Sequence, residues 1–329
     1  MVSKPKEKRC YKMTKLKILL SISELDEAFK EMVDELSKYA TVDIANLNDY
    51  SLKDYDIFIG KKLSKKKLAE ANSLKYIFAY KTGVDNFPLK ELQAKNIILI
   101  NSHADSKIIA EYAFGLSISL VNRISEFDLN LRKGIWYDND NLYWKSLFNM
   151  NVGLLGYGHI GKEIHKLLKQ NNINTFTIDR GHKYDAINLV KDLNDLILNC
   201  DLIICSVPKT KDTTNMFDKI VFDNMKGKYI VNVGRSNVID QNDLYDALCK
   251  HQLAGAAIDT WDEKPINKNT TLMPSLLPFE KLNNIILSPH AAMRVEEGHY
   301  RYVKDTTNNI INLITKNILI NVVDYNKGY

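Results

Sequence analysis

The sequence predicts an α/β protein with two doubly wound parallel sheets. Short apolar runs of strand length alternate with segments of helical periodicity, and this alternation occurs twice along the chain. The length of 329 residues suits two domains. Apolar residues make up 45% and charged residues 26%, with 14 Gly and 7 Pro, which excludes collagen-like, low-complexity and mostly disordered chains.

The first alternation begins at Leu16 and predicts a small parallel sheet. An apolar run at residues 18–20 predicts a strand, and apolar residues at helical spacing follow from Phe29 to Leu36. Further strands are predicted at residues 42–44, 57–59, 76–79 and 97–100. A long helix from about Ser106 to Val121 then leads away from this sheet.

The second alternation predicts a larger doubly wound sheet. Its strands are predicted at residues 152–155, 176–178, 202–205, 229–233, 255–258 and 285–287. A helical pattern follows Pro289, and the apolar run 318–323 predicts one more strand. We expect this C-terminal segment to return to the first domain, which makes that domain discontinuous.

Composition also excludes several function classes. The net charge of +5 is spread along the chain and by itself identifies no partner; it leaves a nucleic-acid-associated protein as a weaker alternative, although we expect no nucleic-acid partner. No apolar run approaches the ~18 residues of a membrane span. Four cysteines form no CxxC pair and the histidines form no helical HxxxH pair, so we expect no disulfide, no metal site and a reducing cytoplasm. The basic residues 4–12 lack a following apolar segment, so they indicate a disordered tail rather than a secretory signal.

A glycine motif predicts a dinucleotide site. Glycines at 156, 158 and 161 form a GxGxxG run between a predicted strand and a predicted helix. The first glycine permits a tight turn, the second lets a pyrophosphate approach the backbone, and the third lets helix and strand pack closely. We therefore predict that this loop binds the cofactor through Gly156, Tyr157, Gly158, His159, Ile160 and Gly161.

Asp179 predicts the identity of the cofactor. It follows Gly161 by 18 residues, at the end of the next predicted strand. A carboxylate there accepts both ribose hydroxyls and repels a 2′-phosphate, which favours NAD over NADP. The neighbouring Arg180 could pair with such a phosphate, or it could flank the adenine or the pyrophosphate.

Two later segments predict the chemistry. Arg235 and His290 each follow a predicted strand, at the sheet edge where open α/β sheets bind ligands. A guanidinium can hold a carboxylate bidentately, and an imidazole titrates near neutral pH. Together they suit polarising and protonating the carbonyl of a 2-oxo acid.

At this point the sequence resembles the D-isomer-specific 2-hydroxyacid dehydrogenases, which include phosphoglycerate, glycerate, lactate and glyoxylate-reducing members. The resemblance runs from about Leu16 to Val323. Its marks, in chain order, are TGVDN at 82–86, IAEY at 109–112, GIW at 134–136, the glycine loop, VP at 207–208, MK at 225–226, NVGR at 232–235, AID at 257–259 and SPH at 288–290.

The resemblance implies a Rossmann nucleotide domain at residues 102–291 and a smaller flavodoxin-like substrate domain at 16–101 and 292–329, behind a tail at 1–15. It also implies reduction of a small 2-oxo acid by NADH, or the reverse, in a homodimer formed through the nucleotide domain. Backbone amides of Thr82, Gly83 and Val84 would hold the substrate carboxylate with Arg235, and His290 would be the acid/base. Further cofactor contacts would come from Val207, Pro208, Val233, Gly234 and Asp259.

One departure from the family pattern concerns the histidine's partner. The family carries Glu five residues after the aspartate at 259, but this chain has Lys264 there, with Glu263 beside it. A lysine near His290 lowers the imidazole pKa, whereas a carboxylate raises it. Three interpretations remain: Glu263 reaches His290 by a one-residue shift, the enzyme works without this partner, or the chain is an NAD(H)-sensing protein without turnover. We favour the first two and include Glu263 in the catalytic set; Trp261 is expected to bound the substrate pocket.

Overall fold

The computed structural model describes residues 15–46, 50–136, 143–181, 183–262 and 271–329. The chain divides into two compact units. The small unit comprises Met1–His103 and His299–Tyr329, and the large unit comprises Ala104–Gly298. The chain therefore enters the small unit twice.

Twelve strands and ten helices are found among the described residues. The strands are β1 (Lys17–Ile22), β2 (Thr41–Asn46), β3 (Ile57–Ile59), β4 (Tyr76–Phe78), β5 (Ile98–Ile100), β6 (Val152–Leu155), β7 (Thr175–Ile178), β8 (Asn188–Val190), β9 (Leu202–Cys205), β10 (Tyr229–Asn232), β11 (Gly255–Ile258) and β12 (Ile285–Leu287). The helices are α1 (Glu27–Ser37), α2 (Lys65–Ala69), α3 (Leu89–Ala94), α4 (Ser106–Val121), α5 (Ile124–Leu131), α6 (His159–Gln170), α7 (Leu193–Asn199), α8 (Lys219–Asp223), α9 (Gln241–Cys249) and α10 (Gly298–Lys316).

The small unit is built on a parallel sheet with the order β2-β1-β3-β4-β5. This is the flavodoxin-like order. Strand β3 is buried along its whole length, because a parallel sheet with helices on both faces needs apolar residues on both. Edge strand β2 has no buried residue. The side chain of Asp26 caps α1 by accepting the Phe29 N–H at 3.0 Å.

The large unit contains a seven-stranded parallel sheet with the order β12-β11-β10-β9-β6-β7-β8. Its first six strands follow the Rossmann order, and β12 extends the sheet beside β11. The sequence of strand β9 is apolar throughout because both faces of the strand are buried. Ile203 and Cys205 enter the core on one face, whereas Leu202 and Ile204 enter the core on the other. The predicted fold class is confirmed for both sheets.

The carboxyl ends of five neighbouring strands of the large sheet lie in one register. The paired residues run from Leu155 of β6 through Cys205, Asn232 and Ile258 to Leu287 of β12. Strand β7 continues the row on the other side of β6. Adjacent strands are about 4.8 Å apart, so the loops that follow these residues share one edge of the sheet.

Two details of the predicted secondary structure were wrong. Strand β8 was not predicted, because it is a short edge strand in which only Val190 is buried. The predicted strand at 318–323 is not regular, and Val322 forms only an isolated antiparallel bridge to Ile100. The side-chain amide of Asn309 bonds the backbone of Ile320 on both sides, at 2.9 and 3.4 Å, in place of a neighbouring strand.

Candidate active site

The predicted nucleotide and catalytic residues that the structure describes in the large unit follow the shared row of strand ends. The glycine loop follows β6, Val207 follows β9, Arg235 follows β10, and Asp259 and His290 follow β11 and β12. The strand order reverses between β6 and β9, which is where open α/β sheets bind ligands. Residues up to 134 positions apart are thereby brought to one edge of the sheet.

The three glycines of the loop meet different surroundings. Gly156 has φ +104°, a conformation that L side chains rarely adopt. A Cβ on Gly161 would lie 2.0 Å from the Gly156 carbonyl oxygen, so only glycine allows the helix to pack here. A Cβ on Gly158 would have no protein atom within 4 Å, and its φ of −81° is ordinary. Nothing within the described chain requires glycine at 158, which fits a contact with a bound group.

The N-terminus of α6 has no side-chain cap for its first-turn N–H groups. Helices α1, α7, α8 and α9 each begin with an aspartate whose carboxylate accepts a first-turn N–H. Helix α6 begins after Gly158, with no side-chain cap and no acidic residue in its first turn. The N–H groups and partial positive charge at a helix start favour an anion. These residues therefore fit the pyrophosphate of a dinucleotide.

The other residues of the loop differ in exposure. Tyr157 is half-buried, and its ring centroid lies 5.7 Å from that of His165 and 5.5 Å from that of Tyr184. Ile160 packs against the core beneath α6, whereas His159 is exposed. The loop therefore presents its backbone and His159 to the outside.

Asp179 lies directly after β7 with an exposed side chain. Its Oδ1 accepts the Gly181 N–H at 2.8 Å, which holds the turn that follows. The side chain of Arg180 is also exposed, and its backbone N–H donates to the Tyr184 hydroxyl at 2.5 Å. A carboxylate and a guanidinium therefore stand side by side at the end of β7.

The loops after β9 and β10 pack backbone to backbone. A Cβ on Gly234 would lie 2.7 Å from the Val207 carbonyl oxygen, so the approach requires glycine. The buried side chain of Asn232 accepts the Gly234 N–H at 3.0 Å and donates to the Arg235 carbonyl at 3.0 Å and to the Thr260 hydroxyl at 3.2 Å. The start of the Arg235 loop is thereby tied to the end of β11.

Two further predicted residues complete this region. Val233 is buried and its N–H donates to the Cys205 carbonyl at 3.0 Å, while the Pro208 carbonyl accepts the Thr213 hydroxyl at 2.7 Å. Arg235 is half-buried, and its Nη1 donates to the Gly234 carbonyl at 3.0 Å. A half-buried guanidinium at a strand end is suited to binding a carboxylate.

Asp259 holds the loop that carries His290. Asp259 is 1% exposed, and its carboxylate accepts the Ala291 N–H at 2.7 Å, the Ala292 N–H at 3.3 Å and the Ser288 hydroxyl. His290 itself has φ +55°. The structure therefore directs the Asp259 carboxylate at the His290 loop, and a contact with the cofactor stays a prediction.

Trp261 is a core residue, so the expectation that it bounds the substrate pocket was wrong. It is 4% exposed, its ring lies 5.4 Å from that of Phe279, and its indole N–H donates to the Ser288 carbonyl at 3.0 Å. Its position two residues after Asp259 suggested the pocket, but burial depends on Phe279, which is remote in sequence. Glu263 and Lys264 lie outside the described residues.

The predicted carboxylate-binding loop 82–84 follows β4 of the small unit. The Thr82 hydroxyl donates to the Ser102 carbonyl at 2.9 Å and lies 3.0 Å from the Tyr302 hydroxyl. Val84 is buried, so it anchors the far end of the loop. The side chains of this loop are held by the small unit itself.

Among the described residues, no group of three or more His, Cys, Asp or Glu side chains could hold a metal ion. Cys200 and Cys205 are buried free thiols, and burial raises the pKa of each to about 12. No helix in the described ranges has both the length and the apolarity to cross a bilayer.

Sequence reasoning missed Tyr112 and Ser288 as site residues. Both stood among the marks of the family resemblance, but neither received a role. Their side-chain oxygens lie 2.8 Å apart, and the Ser288 hydroxyl donates to Asp259. No local pattern signals this contact, because 176 positions separate the two residues.

Comparison with known proteins agrees with this geometry. The family model for the NAD binding domain of D-isomer specific 2-hydroxyacid dehydrogenases matches residues 114–292. D-3-phosphoglycerate dehydrogenase of Methanocaldococcus jannaschii is 28% identical, over 86% of this chain and 52% of that protein. Glyoxylate reductase of Thermofilum pendens is 27% identical, over 76% of this chain and 75% of that protein. The chain spans about half the length of the phosphoglycerate dehydrogenases it matches.

Solved structures show the same fold. The PH0520 protein of Pyrococcus horikoshii OT3 superposes with a TM-score of 0.81 at 24% identity, covering 94% of this chain and 95% of that one. D-lactate dehydrogenase of Aquifex aeolicus, complexed with NAD and lactic acid, gives a TM-score of 0.77 at 21% identity, covering 93% and 98%. The chain therefore belongs to the D-isomer specific 2-hydroxyacid dehydrogenase family, and its large unit carries the family's NAD-binding domain.

Proposed function

We propose that this chain is an NAD-dependent oxidoreductase that reduces a small 2-oxo acid to the D-2-hydroxy acid, or catalyses the reverse reaction. One observation carries the proposal: Arg235, Asp259 and His290 follow three adjacent, in-register strands on the sheet that bears the glycine loop. The names of the relatives, phosphoglycerate dehydrogenase and glyoxylate reductase, support the same class of reaction.

The large unit binds the cofactor in this proposal. N–H groups at the start of α6 bind the pyrophosphate, with Gly158 leaving room for it. Asp179 accepts the ribose hydroxyls and repels a 2′-phosphate, which favours NAD over NADP. Val207 and Gly234 line the same edge of the sheet with their packed backbones. Bound NADH supplies a hydride from nicotinamide C4 to the carbonyl carbon.

The substrate is held and protonated by residues of this chain. Arg235 binds the substrate carboxylate, which orients the carbonyl that is attacked. By the family resemblance, the backbone N–H groups of the loop 82–84 are also suited to binding a carboxylate. His290 holds a proton on its imidazole and donates it to the carbonyl oxygen. In the reverse direction His290 takes the proton from the hydroxyl group.

We also propose that Glu263 assists His290. The support is its place in the sequence, one residue before Lys264, which stands where the family has glutamate. A carboxylate beside an imidazole raises the imidazole pKa, so Glu263→Gln should lower the pKa that governs kcat/KM. The matched variant Lys264→Gln should not lower it. An unchanged pH profile in Glu263→Gln would mean that His290 works without this partner.

The direct test is oxidation of NADH by the purified chain with glyoxylate, hydroxypyruvate, pyruvate and longer 2-oxo acids. We expect turnover with at least one of them. His290→Gln should bind NADH as tightly as the wild type and lose activity by about 100- to 10,000-fold, the usual contribution of a general acid. A wild-type chain that binds NADH but reduces none of these acids would refute the catalytic proposal. That result would favour the NAD(H)-sensing alternative, which the relatives do not support.

We propose that the protein is a homodimer formed through its large unit. None of the eight residues of α5 is buried, and four of its apolar side chains are exposed: Ile124, Phe127, Leu129 and Leu131. Trp136 and Phe148, further along, are 76% and 67% exposed. Such a concentration of exposed apolar residues is typical of a protein interface. Light scattering should give twice the mass of one chain, 37.7 kDa, and Leu129→Glu should give the monomer.

We further propose that the protein functions in the cytoplasm. Three free cysteines among the described residues, two of them buried, suit a reducing compartment. Fractionation of cells that produce the protein should recover it with cytoplasmic markers.

A further inference from the structure

A chain of three hydrogen-bonded side chains ends at the loop that carries His290. The Tyr112 hydroxyl, on α4, lies 2.8 Å from the Ser288 Oγ, and the Ser288 hydroxyl donates to the Asp259 carboxylate. A hydroxyl group has one proton to donate. Because the Ser288 proton is directed at Asp259, Tyr112 must be the donor to Ser288.

The last member of this chain controls the backbone around His290. The Asp259 carboxylate accepts the N–H groups of Ala291 and Ala292, the two residues that follow the histidine. The φ of +55° at His290 is energetically costly for a residue with a Cβ, and it persists only where the surroundings enforce it. Hydrogen bonds to a charged acceptor are strong enough to offset that cost.

Ser288 is itself fixed from several sides. Its carbonyl accepts the Trp261 indole N–H and the His290 N–H, each at 3.0 Å, and its own N–H donates to the Ile258 carbonyl at 2.9 Å. The backbone of Ser288 is therefore fixed, and its hydroxyl contacts both Tyr112 and Asp259. Side chains from α4 and from the loops after β11 and β12 thus meet at one point.

We propose that Tyr112 and Ser288 are positioning residues that act through Asp259 to hold the imidazole of His290 for proton transfer. The proposal rests on the proposed function of His290 as the proton donor. It also has an electrostatic consequence. Donation by Ser288 disperses part of the negative charge on Asp259, and loss of that donor leaves more charge facing the His290 loop.

The test combines histidine-selective NMR titration with steady-state kinetics. The ring signals of His290 are identified as those missing from His290→Gln. In Ser288→Ala we expect the imidazole pKa of His290 to rise by about 0.5 unit, since the charge on Asp259 favours imidazolium. In Tyr112→Phe the rise should be smaller. In Asp259→Asn the pKa should fall, because the negative charge is gone.

The kinetic expectation separates positioning from binding. Ser288→Ala should lower kcat about tenfold with the KM for the 2-oxo acid within about twofold, as a loss of alignment does. Ser288→Thr keeps the hydroxyl and should return kcat to within about threefold of the wild type. Two matched controls should change neither readout: Ser119→Ala removes a hydroxyl that pairs with Ser125, and Tyr55→Phe removes one that pairs with Asp43.

Several results would overturn the proposal. One is a pKa of His290 that shifts in the same direction in Ser288→Ala and in Asp259→Asn. Another is a pKa of His290 that shifts in neither variant. Another is a kcat of Ser288→Ala equal to that of the wild type. If Ser288→Ala does not fold, Tyr112→Phe and Asp259→Asn still decide the sign of the effect. A wild-type chain without turnover would defeat the proposed function, whereas the NMR titration would still test the positioning role.

Discussion

Gly158 and Gly161 lie three residues apart in one loop, and the structure predicts different consequences for a methyl group added to each. In Gly161→Ala the new Cβ would lie 2.0 Å from the Gly156 oxygen and 2.9 Å from the Gly156 carbon. Both atoms belong to the backbone, so no side chain can rotate away. Overpacking of this kind costs about 3 kcal/mol, which lowers Tm by about 6–12 °C in a domain of this size.

In Gly158→Ala the methyl group meets no protein atom within 4 Å, and the φ of −81° suits alanine. The position precedes the first residue of α6, where alanine in place of glycine costs about 0.5–1 kcal/mol. The methyl group does occupy the side on which we expect the pyrophosphate. Loss of one hydrogen bond to a charged group is worth about 1.5–3 kcal/mol, so Kd for NADH should rise about 10- to 150-fold.

The assay measures thermal unfolding without cofactor and NADH affinity by fluorescence titration for both variants. Gly115→Ala is the matched control, because Gly115 is an exposed residue of α4 that also has no atom within 4 Å of an added Cβ. That variant should be more stable by about 0.5–1 kcal/mol and bind NADH normally. The reasoning fails if Gly158→Ala binds NADH within twofold of the wild type, or if Gly161→Ala is as stable as the wild type.

Three further predictions concern the cofactor, the thiols and alkaline stability. Asp179→Ser should raise the ratio of kcat/KM for NADPH to that for NADH by about tenfold, since repulsion of a 2′-phosphate is removed; an unchanged ratio would contradict the assignment. At pH 8, alkylation followed by mass spectrometry should label exposed Cys249 and spare Cys205, whose pKa of about 12 instead of 9 lowers the thiolate fraction about 1,000-fold; equal labelling would count against it. Burial raises the pKa of Tyr80 from 10 to about 12. The un-ionised phenol therefore contributes about 3 kcal/mol to the free energy of unfolding below pH 10, and this contribution is lost as the pH rises through 12. Denaturant unfolding should show a smaller decline over this window in Tyr80→Phe, and an equal decline would refute the contribution.

Most of the fold was predictable because its cause is local. Strand β9 is a continuous apolar run, since a parallel strand covered on both faces needs apolar residues on both. The same argument fails for β8, an edge strand with one buried residue, which produces no such run. It fails at Ile320 for another reason, because the side chain of Asn309 bonds the backbone there and the pairing with β5 is limited to a single bridge at Val322.

The candidate site divides in the same way. The glycine loop is encoded within six consecutive residues, since a tight turn and a close helix contact leave glycine as the residue that fits. Trp261 shows the opposite case. Its place in the chain, close to Asp259, suggested a pocket wall, but the ring of Phe279 and the Ser288 carbonyl place it in the core.

The sequence by itself determined two α/β sheets, a dinucleotide loop, and an arginine and a histidine placed after strands. Only the tertiary structure decided how the histidine is held. Its loop depends on Asp259 and on Ser288, and Ser288 in turn meets Tyr112 from 176 positions earlier in the chain. The physical reason is that periodicity reports which face of an element is buried. A hydrogen bond, in contrast, requires two particular atoms to come within about 3 Å, and that distance is set by the packing of elements remote in sequence.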